Sequence, residues 1–166
     1  MNKFYYLALG LSLTACLAGC KKDDVKPNGP TLTANETLLT AKNWRITAVI
    51  GTTTFLGQTI TTDGYPLLKT CQKDNFVKYN ADKTAVSDEG ATRCSTNDPQ
   101  TSSFTWSFNA AENELTATGP VNGTTQTVKA AVLELTATTL RVRTTNEQTQ
   151  GGYTITSTAT TTYASF

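Results

Sequence analysis

From Trp44 onward, apolar and polar positions alternate with a period of two. Trp44, Ile46, Ala48 and Ile50 take one phase and Arg45, Thr47 and Val49 the other, the spacing of a half-buried strand. Ahead of this run, Thr33-Ala34-Asn35-Glu36 has the spacing of a capping box before Leu38-Leu39 and predicts one or two turns of helix. Thr52 to Thr62 reads as a weaker, threonine-rich strand interrupted by Gly57. Asp74 to Tyr79, the turn Asn80-Ala81-Asp82-Lys83 and Thr84 to Asp88 read as a hairpin. The strongest inward face is Phe104, Trp106 and Phe108, with Thr105 and Ser107 opposite. Asn109 to Asn113 turns the chain into the strand Glu114 to Thr118, and Gly119-Pro120-Val121-Asn122-Gly123 reads as the next turn. In the strand Thr124 to Leu135 the apolar face switches near Ala130-Ala131, which predicts a bulge there. Leu140 and Val142 alternate with Arg141 and Arg143, and Thr144 to Gly152 reads as a polar turn. The last strand sets Tyr153, Ile155, Ala159 and Tyr163 against a face of threonines. Eight or nine short strands with tight connections predict an all-β, antiparallel up-and-down meander. Such a meander removes its edges by closing into a barrel of about eight strands.

Composition sharpens this picture. Threonine supplies about a fifth of the 166 residues and suits a pleated, half-exposed surface. Charge is balanced, 14 Lys+Arg against 13 Asp+Glu, and scattered, so the chain has no electrostatic footprint for nucleic acid. There is no histidine, which excludes triads with a histidine base, histidine-ligated zinc and histidine pH switches. Carboxylates adjoin at Asp88-Glu89 and near Glu112 and Glu114. Both pairs sit by predicted turns, where solvated charge is the default, and neighbours in a strand point to opposite faces, so no catalytic pair is assigned. No enzyme, cofactor or metal is implied.

The N-terminus changes the setting. Lys3 precedes an apolar run from Phe4 to Gly19, shorter than the roughly 20 residues that span a bilayer. Leu17-Ala18-Gly19-Cys20 closes it and resembles the lipobox of bacterial lipoproteins, in which the cysteine is acylated and the peptide is cut just before it. Leu13-Thr14-Ala15-Cys16 also fits, so Cys16 is a rival; Cys20 is favoured because apolar residues continue through Leu17 and polarity begins at Lys21. The division that follows is a signal peptide over 1–19, a lipid anchor and tether over 20–32, and one folded domain over 33–166. Lys21-Lys22-Asp23-Asp24 resembles the acidic export signal of Bacteroidetes surface lipoproteins. It implies a lipid-anchored protein of the outer membrane, exposed at the cell surface, with the periplasmic face as the alternative. Outside the cytoplasm, the isolated pair Cys71 and Cys94 is most simply a disulfide, stabilising the fold by roughly 3 kcal/mol on the chain-entropy model.

Larger segments carry a further likeness. Leu38-Leu39 with Trp44, Cys71 to Tyr79, Glu89 to Cys94, Thr105 to Phe108, and Val132 to Leu135 with Thr139-Leu140 resemble the lipocalin-like domains of Bacteroidetes lipoproteins, over most of residues 36–164. The resemblance implies an eight-stranded up-and-down barrel with an apolar cavity. Lys42 stands where lipocalins place the Gly of Gly-x-Trp, and Arg141 and Arg143 are out of phase with the inward positions. A lining for a small apolar ligand would draw on Trp44, Phe76 or Tyr79, Phe104, Trp106, Phe108 and Tyr153. The alternative is that these aromatics fill the core and the domain is a structural or interaction module for a protein or glycan partner.

Overall fold

The structure, a computed structural model, describes residues 31–121 and 123–166. Cys16 and Cys20, with the signal peptide and most of the tether expected from the sequence, lie outside the described residues. Helix α1 (Ala34–Thr40) leads into β1 (Asn43–Phe55) and β2 (Gln58–Asp63). A four-residue helix α2 (Thr70–Lys73) precedes β3 (Phe76–Tyr79) and β4 (Thr84–Asp88). The remaining strands are β5 (Thr101–Phe108), β6 (Glu114–Val121), β7 (Thr124–Leu135), β8 (Thr139–Gln150) and β9 (Tyr153–Ser165). Neighbours from β3 to β9 pair antiparallel, β9 returns to β1, and the start of β1 pairs with β3. This closes an eight-stranded antiparallel barrel, the all-β meander with a short N-terminal helix that the alternation predicts. Strand β2 stands outside the circle, on the edge of β1 beyond β3.

One end of the barrel, the base, is plugged. Helix α1 forms as the capping box predicts: Thr33 accepts from the Glu36 N–H and the Glu36 carboxylate accepts from the Thr33 N–H. Leu39 on this helix is fully buried, and its carbonyl accepts the Trp44 indole N–H at 2.8 Å. Around them lie Tyr79, Ala85, Trp106, Leu115, Leu140 and Val142, all buried. The Glu36 carboxylate pairs with Lys83 in the β3–β4 turn, and Thr33 bonds to Glu112 in the β5–β6 turn. The helix is thereby tied to two turns of the same end.

Five details differ from the sequence reading. Thr52 to Thr62 is not one interrupted strand: Leu56 (φ 49°) and Gly57 (φ 77°) make a two-residue reversal between β1 and β2. Gly119-Pro120 does not turn; β6 runs on to Val121 and the reversal falls at Gly123. Thr144 to Gln150 is strand, with only Gly151 and Gly152, both at positive φ, left as the turn. The predicted bulge in β7 lies between Val132 and Glu134 and leaves Leu133 exposed. A second bulge, at Thr47, inverts the phase of β1, so Ile50 faces outward and Val49 pairs with inward-facing Thr161. The Cys71–Cys94 disulfide is formed, joining α2 to the loop between β4 and β5.

Candidate functional site

The inward phase can be followed from base to mouth through the strand registers. In β5 it runs Phe108, Trp106, Phe104, Ser102; in β4, Ala85 then Ser87; in β9, Tyr163, Thr161, Ala159, Ser157. In β5 and β9 large side chains at the base give way to small or hydroxylated ones toward the mouth, and in β4 both inward residues are small. The base is therefore filled and the upper half is an open cup. One lobe of about 290 Å³ lies among Ser87, Ser102, Phe104, Ala117, Gln126 and Val128. Another of about 290 Å³ is bounded by Ile46, Val77, Ser87 and Tyr163 under Leu68, Gln72 and Asn75 of the segment that carries α2.

Every charged residue in the strands occupies the outward phase. Arg45 pairs with outward Phe76, Asp88 with the same Phe76, and Lys78 with Val86. Glu114, Lys129, Glu134, Arg141, Arg143 and Glu147 alternate with inward neighbours, and Asp63 lies opposite outward Ile50. The lining strands thus offer hydroxyls, amides and apolar surface but no charge. An unpaired carboxylate or ammonium would be costly to bury there, whereas a neutral ligand could satisfy its polar groups.

The aromatics singled out in the sequence divide into three groups. Trp44, Tyr79 and Trp106 are buried in the base; Phe104 packs edge-on against Tyr79 and Phe108 against Trp106, with ring centroids 6.1 and 5.8 Å apart. Of these five, Phe104 also reaches the cup. Phe76 borders the lobe beneath α2, but its ring packs edge-on against Phe166 on the outer side, beneath which the Arg45 guanidinium lies 4.2 Å from the Phe166 ring centre. Tyr153 is 54% exposed at the rim and packs on Phe55, itself 41% exposed. The cup is lined instead by Ser87, Ser102, Gln126 and Val128, which the sequence reading passed over. Their signal was phase: Ser102 continues the alternation of Phe104, Trp106 and Phe108, and Ser87 that of Ala85.

The mouth is stitched on one side. The disulfide holds α2 to the β4–β5 loop, and the Asp74 carboxylate accepts from both the N–H and the hydroxyl of Thr92 at 2.9 Å. These bonds hold the Asp74 carboxyl below the usual carboxylate range. Asp88 accepts from the Gly90 N–H and the Gln100 amide at 2.8 Å. At the base, burial pushes the phenols of Tyr79 and Tyr163 up, Tyr163 adding to the effect on Tyr79. Among the described residues no cluster of three carboxylate, thiol or imidazole groups could hold a metal ion. No family model matches the chain, and no curated protein does.

Proposed function

We propose that this chain is a lipid-anchored envelope lipoprotein, acylated at Cys20, whose lipocalin-like barrel binds a small neutral ligand in its open cup. The single observation that carries the binding reading is the change of lining along the inward phase. Large apolar side chains plug the base, while above them the wall is uncharged and presents hydroxyls and amides beside Phe104, Val128 and Tyr163. That surface suits a ligand with an apolar body and a few neutral hydrogen-bonding groups. The anchor rests on the lipobox-like Leu17-Ala18-Gly19-Cys20, and exposure at the outer-membrane surface on Lys21-Lys22-Asp23-Asp24.

The test is titration of a neutral, apolar fluorescent probe into the purified protein. Saturable one-to-one uptake, lost in Ser87→Trp or Val128→Trp variants that fold normally, is the expected result; no saturable uptake would overturn it. A second reading, an interaction module for a protein or glycan partner, is favoured by the outer face. There Thr61, Thr52, Thr158 and Thr145 form one row across β2, β1, β9 and β8, with the Thr52 and Thr158 hydroxyls 2.6 Å apart. Cross-linking on intact cells through this row, followed by identification of the captured molecule, distinguishes the two.

A further inference from the structure

The barrel wall parts in three places near the mouth, and two of them are protected. Between β5 and β6 the ladder stops after Thr105 and Thr118. The next residues of β6 are Gly119, onto which the Phe104 side chain closes, and Pro120, which has no N–H to offer. Where β1 leaves β3, the freed edge of β1 is taken by β2. The third parting is between β7 and β8. Their ladder ends at Ala131 opposite Arg143. Beyond it β7 stays bonded to β6 through Thr124–Ala130, and β8 to β9 through Thr144–Gln150. The separated edges flank a slot of about 530 Å³ bordered by residues 127–129 of β7 and 144–146 of β8, and by residues 157–159 of β9 behind β8.

Among the described residues, nothing in this slot serves as a guard. Neither edge carries proline, glycine or a bulge over these residues. Lys129, the type of residue that blunts an edge, is drawn toward β6 by Glu114 at 3.2 Å, away from β8. Two strand edges facing one slot have backbone donors and acceptors directed into it. We propose that the slot between β7 and β8 is a strand-addition site, which receives an extended segment of a partner polypeptide and completes the barrel wall.

The occupant follows from the geometry. Among its described residues, a second copy of the barrel presents strands already held in a sheet, and these cannot ladder on both sides at once. A single extended segment with both edges free can. Its side chains would alternate between the uncharged cup and the outer surface. Inward positions therefore suit small or apolar residues. On the outward phase, Arg143 beside the last rung suits an acidic residue, since Lys129 is already paired. Among the described residues the outer edge of β2 is also free, but it is one edge of a six-residue strand with no slot beside it.

The test is a display selection from a library of random ten-residue peptides against the full chain. Enriched peptides should be free of proline and bind at least tenfold more weakly when methylated on alternate backbone nitrogens. Adjacent residues of β8 turn their N–H groups to opposite sides. Of Thr145→Pro and Asn146→Pro, one should therefore fold normally and lose the peptide, while the other should lose stability by breaking the β9 ladder. No enriched peptide, or binders indifferent to both methylation and the folded proline variant, would overturn the proposal. Because the readout is backbone bonding, failure here leaves probe uptake by the cup unaffected.

Discussion

At the scale of the residue, Lys83 joins three parts of the base. It sits at φ 68°, pairs with Glu36 of α1, and holds its ammonium 4.4 Å from the centre of the Trp106 ring. Its carbonyl accepts the Trp106 backbone N–H at 2.9 Å. Lys83→Met keeps most of the stem and removes the charge, so urea unfolding should show a loss of about 1–2 kcal/mol, the sum of one cation–π contact and one partly exposed ion pair. The hydrogen bond from Lys83, with that from the Thr33 N–H, holds the Glu36 carboxyl below the usual range. Its stabilising effect is therefore present above the ordinary carboxylate pKa and lost as pH falls through the depressed value, a loss that Glu36→Gln should flatten. Tyr79 and Tyr163 behave in the opposite sense. Burial raises both phenols, so their contribution is complete below pH of about 10 and is lost as alkali ionises them in the unfolded chain. Absorbance at alkaline pH should show two tyrosines ionising only as the barrel unfolds, and Tyr79→Phe should remove one of them.

Among elements, the mouth loops depend on covalent and polar stitches rather than on a core. Gly90 shows the tightness: at φ 70°, a side-chain carbon there would lie 2.5 Å from the Asp74 carbonyl oxygen. Gly90→Ala should cost about 1–3 kcal/mol through the left-handed backbone and this clash. Reducing Cys71–Cys94 should cost roughly 3 kcal/mol. Amide exchange should quicken over residues 64–75 and 89–100, while the β8–β9 ladder should be untouched beyond the global loss. The same contrast between core and rim explains what could be read from sequence. Strands with one buried face, such as Phe104–Phe108 and the hairpin of β3 and β4, display their period and were recognised. The upper half of β8, Thr144–Gln150, is mostly exposed on both faces, so no alternation marks it and its polar residues resembled a turn. Helix α2 is too short to show a period, and the bulge at Thr47 is invisible until the pairing with β9 is known.

For the whole molecule, the barrel was legible because closure is the common solution to many short strands, whereas the cup was not. Aromatics draw the eye as lining, yet packing gathers most of them at the base, and the cup is left to residues such as Ser87, Ser102, Gln126 and Val128, whose one signal is the phase they share with the core positions. The anchor is tested by fatty-acid labelling in cells: Cys20→Ser should abolish incorporation and Cys16→Ser should leave it intact, with mass spectrometry locating the acyl chains. The position of α1 bears on how such an anchored molecule would stand. Thr33 and Glu36 bond to the turns of the plugged end, so the polypeptide enters the domain there. Ten residues separate Cys20 from Thr31, a leash of at most about 40 Å when fully drawn out. A vessel moored by its floor turns its brim to the surrounding medium, so cargo would arrive from solution or from a neighbouring macromolecule rather than by sideways escape from the bilayer.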